Sequence, residues 1–136
     1  MKKIILSNKA LGVNFALLIF RVSLGISMFW GHGLGKWNKL FSGGEIKFFD
    51  PIGLGSTAAL GLAVFAEVIC SILLILGLLT RLALIPLIVT MSVALFLVHI
   101  SDSFGTQEKS ILYLTGYVVL FITGSGRYSL DGLLKR

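Results

Sequence analysis

Long apolar runs organise this chain, and the few charges inside them stand alone. Residues 11–31 are apolar apart from Arg21, residues 57–79 apart from Glu67, and residues 82–100 carry Pro86 near their start. A last run over 110–124 is short for a membrane crossing, so Glu108 and Lys109 join it as a first turn, giving 108–124. A bilayer core takes roughly 20 helical residues at 1.5 Å each. The pattern therefore predicts an all-α polytopic membrane protein, an antiparallel bundle of four transmembrane helices forming a single domain over 1–136. Only Thr80 and Arg81 separate the second and third runs, which forces an antiparallel helix hairpin there. The external loop, 32–56, is the long connection. Its Trp37, Phe41, Phe48 and Phe49 suit a membrane interface, and Gly43-Gly44 and Asp50-Pro51 mark turns within it. It is expected to fold as a cap on the outer surface. Ser129 is placed to N-cap a short terminal turn.

Composition agrees with this pattern. Hydrophobic residues make up 56% of the chain and charged ones 13%, half of what a soluble domain carries. That balance excludes a soluble enzyme, a disordered tail and a secreted disulfide scaffold. Met1-Lys2-Lys3 is similar to the start of a cleaved leader. The run that follows is long, holds Arg21 and meets no small-residue cleavage site before Trp37, so the span is expected to remain.

The net charge of +6 reads first as topology and lipid contact, with no nucleic-acid partner implied. Four spans put both termini on one side with Lys2, Lys3, Lys9, Arg81, Arg127, Lys135 and Arg136. Lys36, Lys39, Lys47 and Lys109 fall on the other, and Lys36 and Lys109 double as site candidates. Seven against four favours cytoplasmic termini.

Two groups of polar residues are candidates for chemistry. Arg21 lies 11 residues before His32, and Glu67 lies ten residues into a span running the opposite way. Both are expected near the midplane, where a lone charge costs at least ~2.5 kcal/mol, so the simplest arrangement pairs them. Such a pair either belongs to a substrate, proton or ion site or fixes helix register. The second group sits at the outer rim, where His32 and Lys36 end one span, His99 and Asp102 end another, and Glu108 opens the last. Histidines beside carboxylates can take and pass protons near pH 7. These residues are expected to line one outward-opening pocket, walled by Met28 and Leu95 and roofed by the aromatic loop around Trp37.

Sharper chemistries find less support. Two histidines alone are thin grounds for haem ligation, and no tight spacing of His, Asp and Glu marks a metal site. Disulfide exchange with a quinone needs paired cysteines, and Cys70 is alone. Gly33-Leu34-Gly35-Lys36 is too short for a phosphate-binding loop.

The ordered set of motifs resembles the DoxX family of membrane proteins. It comprises Arg21, Phe29-Trp30-Gly31-His32-Gly33 with Lys36, Ala66-Glu67, Leu76 to Arg81, His99, Glu108, and Gly124 to Asp131. The likeness runs from about Phe15 to Gly132. It implies a four-helix protein of a bacterial-type inner membrane, associated with membrane oxidoreductase systems and quinone chemistry. No residue supplies a redox group, so any electron transfer needs a quinone or another subunit. The leading expectation is an integral subunit binding a quinone-like or other small polar ligand beside other membrane subunits. The alternative is a non-catalytic membrane adaptor.

Overall fold

Backbone groups in lipid must satisfy one another, so apolar runs of this length form helices. The structure, a computed structural model, describes residues 1–135. After a helical turn at Lys2–Ile5 come four long helices, α1 (Val13–Phe41), α2 (Ser56–Leu76), α3 (Thr80–Val98) and α4 (Phe104–Thr123), then the short α5 (Leu130–Leu134). Among the described residues there is no strand. α1, α2 and α3 are each long and apolar enough to cross a membrane. The expected all-α membrane architecture is present, with helix ends shifted by a few residues except in α1.

That helix departs most from expectation, since it continues to Phe41 instead of stopping at residue 31. Its 29 residues measure about 43 Å, longer than a bilayer core. No proline interrupts it before Pro51, and Leu40 packs on Leu60, Val64 and Val68 of α2. The connecting loop shrinks accordingly to 42–55.

The deep core lies where all four helices meet, around Met28, Cys70, Leu74, Leu84, Leu87 and Tyr117. Glycines let α1 approach α2 closely. A Cβ at Gly33 would meet the Glu67 carbonyl oxygen at 2.7 Å, and one at Gly25 would meet the Ser71 carbonyl oxygen at 3.1 Å.

The start of α1 and the segment after α4 meet at one end of the bundle, the Arg127 amide donating to Asn14 Oδ1 at 2.9 Å, and there the chain is clasped. α2 closes with Gly77 at φ +67°, the Leu78 amide donating to the Leu73 carbonyl and the Gly77 amide to Leu74. Leu79 follows at φ +49°, an unfavourable conformation for a branched side chain. Asp131 holds it there, one carboxylate oxygen accepting from the Leu79 amide (2.8 Å) and the other from the Thr80 amide (2.9 Å). Ser129 caps α5 as expected, accepting from the Gly132 amide at 3.0 Å. Arg81 donates to the Phe121 and Ile122 carbonyls at the end of α4.

Arg21 belongs to this clasp. Its guanidinium donates to the Leu74, Ile75 and Tyr128 carbonyls, a cation placed at a helix C-terminus where the dipole favours it. The expected Arg21–Glu67 pair is therefore absent. α1 is staggered along α2 so that Gly33 stands level with Glu67, while Arg21 reaches the elbow at Gly77. Counting depth from the ends of the apolar runs missed that stagger.

Candidate functional site

The opposite end of the bundle is built differently. Each membrane-length helix contains one wide turn with i→i+5 hydrogen bonding: Phe29–Gly33 in α1, Phe65–Cys70 in α2 and Ala94–Val98 in α3. Such π turns change which side chains face a neighbour, and they recur at functional sites. Here His32 rides the first and Glu67 the second, and His99 directly follows the third. Before its π turn, over Ser56–Val64, α2 packs on Leu34–Phe41 of α1 and is parted from α3, which stays with α4.

The two helix pairs separate around a cavity of about 710 Å³. Glu67 is buried on its wall at 2% exposure. Its Oε2 accepts from Lys36 Nζ at 2.8 Å, and the Lys36 side chain is partly exposed. His32 stands edge-on to Tyr113, ring centroids 5.6 Å apart, and Tyr113 stacks on Tyr117 at 6.0 Å. The Tyr117 hydroxyl is buried and has no hydrogen-bond partner among the described residues. His99 Nδ1 pairs with Asp102 Oδ2 at 2.7 Å, which fixes one face of the imidazole and leaves Nε2 for other partners.

Of the candidates named from the sequence, His32, Lys36, Glu67, His99 and Lys109 line this one cavity. Asp102 supports His99 without lining it, Glu108 is exposed outside it, and Arg21 is at the far end. The expected walls are also corrected. Met28 is in the buried core and Leu95 does not line the cavity; Ala59, Ala63, Val89 and Val93 do. The smaller side chains on α2 leave the space.

Trp37 meets Phe41 at a tilt, ring centroids 4.8 Å apart, and does not line the cavity; the roof is the segment from Phe48 to Leu54. Asp50 shapes that roof by accepting from the Leu54 (3.1 Å) and Gly55 (2.6 Å) amides. Those hydrogen bonds, Gly55's first, hold its carboxyl below the usual carboxylate range. Thr90 and Ser110 also line the cavity and carried no signal in the sequence. Short hydroxyls in membrane helices commonly bond helix carbonyls, as Thr90 does to Pro86 at 2.8 Å. No group of three or more His, Cys, Asp and Glu among the described residues could hold a metal ion.

An all-helical, multi-pass membrane protein with a polar pair in an apolar cavity is the class these features define. The chain belongs to the DoxX family, whose sequence profile matches residues 16–100. It is 30% identical over 135 residues to an uncharacterized protein of Haemophilus influenzae, covering 94% of this chain and 89% of that one. It is 36% identical over 115 residues to a Bacillus subtilis protein named "Putative oxidoreductase CatD", covering 84% of this chain and 83% of that one. No solved structure matches.

Proposed function

We propose that this protein is a four-span integral subunit of a membrane oxidoreductase system, binding a quinone-like or other small polar ligand in the cavity at Lys36 and Glu67. The Lys36–Glu67 pair, its carboxylate buried and its ammonium partly exposed, is the observation that carries the reading. An ion pair on an apolar wall is costly to desolvate, and intramembrane charges held beside open space are typically functional. Apolar walls with a few convergent polar groups are the usual form of a small-molecule site. The Bacillus subtilis relative contributes the word oxidoreductase through its name alone.

In this reading α4 is the fourth crossing, about 30 Å for its 20 residues, with Glu108 and Lys109 at headgroup level. The clasped end, rich in Lys and Arg, faces the cytoplasm and the cavity faces outward across a bacterial-type inner membrane. Other subunits supply the redox group.

The adaptor reading draws on Arg21, whose hydrogen bonds all go to backbone carbonyls. That residue is remote from the cavity and leaves Lys36 and Glu67 unexplained.

Small molecules extracted from the purified protein test the proposal. Mass spectrometry should find a quinone-like or other small polar component with the native chain and a several-fold loss with Ala63→Phe, which fills the cavity. Equal content in both, or no such component, would contradict it.

A further inference from the structure

We infer that the cavity selects an anionic amphiphile, an acidic head group on an apolar body, admitted from the lipid between α2 and α3. This rests on reading the cavity as a ligand site and names the class of molecule that the site takes.

The head group follows from which polar groups are already engaged. Glu67 is held by Lys36, Asp102 by His99, and Asp50 by the Leu54 and Gly55 amides. The carboxylates at this end of the bundle that touch or back the cavity thus have partners. Charged donors remain beside them. Lys36 bonds Glu67 through one of its three N–H groups, and Lys109 lines the cavity with no salt bridge among the described residues. The His32 imidazole lies on the same wall. A neutral head would offer Lys36 and Lys109 only neutral acceptors, whereas a carboxylate or phosphate supplies the opposite charge and accepts several charge-assisted hydrogen bonds.

The body and the entry route follow from the walls. Leu62 of α2 and Val89 and Val98 of α3 line the cavity, and each is also exposed on the outer surface of the bundle. The cavity therefore opens sideways through a slot with apolar lips, in the stretch where α2 is parted from α3. Asp50 and its turn cover the top. An occupant that partitions into lipid can slide in chain-side through the slot and bring its head to Lys36 and Lys109.

The test uses the full-length protein in a neutral maltoside detergent with radiolabelled dodecanoate as probe. Unlabelled dodecanoate, dodecanol and decylubiquinone serve as competitors. Dodecanoate should compete at least tenfold better than either neutral molecule. Lys109→Gln should weaken dodecanoate about tenfold, leave dodecanol unchanged, and be rescued by Lys109→Arg. Lys109 is exposed and unbridged, so circular dichroism of the variant should match the native chain. Equal competition by dodecanol, tighter binding of decylubiquinone, or indifference to Lys109→Gln would overturn the anion selection while leaving a ligand site in place. If no probe binds, or if Ala63→Phe binds all of them as the native chain does, the ligand-site reading falls as well.

Discussion

A carboxylate at 2% exposure among apolar helices persists only with a cation in contact, and Lys36 at 2.8 Å meets that need for Glu67. Lys36→Met should cost on the order of 3 kcal/mol by stranding the Glu67 charge. Adding Glu67→Gln should return most of that loss in unfolding experiments in detergent. Arg21→Ala with Glu67→Gln should instead be additive within about 0.5 kcal/mol, since the two side chains share no partner. Strong coupling of Arg21 to Glu67 would restore the pairing first expected from the sequence. Spacing alone identified both as intramembrane charges, but not their partners, because partner choice depends on a stagger between helices that no single run displays. Asp131 gives a second test. Burial works against its carboxylate, but hydrogen bonds from Thr80 and Leu79 outweigh this and hold it below the usual carboxylate range. A group whose folded pKa is depressed contributes stability that is complete above its unfolded value and lost as pH falls through the folded one. The native chain should therefore exceed Asp131→Asn by about 1 kcal/mol at neutral pH, as for other helix caps. The gap should close below the ordinary carboxylate range, and a gap that stays constant there would show that the charge is not what matters.

The three π turns decide which residues meet at the scale of whole helices. A regular α-helix would place His32 and Lys36 on one stripe with Arg21. The turn at Phe29–Gly33 redirects the later part of α1 onto Glu67. No residue type marks such a turn, so the helices were legible in the sequence and their phase was not. Cavity walls inherited that error, which is why Met28 and Leu95 stood in for Ala59 and Val89. The crossing itself depends on Gly33. A Cβ there would press on the Glu67 backbone, whereas one at Gly35 would meet open space. Gly33→Ala should lower stability by roughly 1–3 kcal/mol. Gly35→Ala should raise it by about 0.5–1 kcal/mol through helix propensity alone. Similar effects at the two sites, measured by chemical unfolding, would mean that α1 and α2 do not meet at Gly33.

The whole molecule is divided between a clasped end and an open one. Arg21, Arg81, Ser129 and Asp131 tie backbone carbonyls and amides at the first, while Lys36, Glu67 and His32 surround space at the second. The motifs that most resemble the DoxX family fall at both ends, so sequence likeness alone could not separate scaffold from site. In right-side-out vesicles, Glu45→Cys should react with an impermeant maleimide and Lys3→Cys should not; the reverse would invert the proposed topology. The central claim, that the open end holds a ligand against Lys36 and Glu67, is tested most directly by an experimental density map in native-lipid nanodiscs. The account predicts elongated non-protein density that begins at Lys36 and leaves between α2 and α3. A map with α2 and α3 closed together above Glu67, and no density beside Lys36, would contradict it.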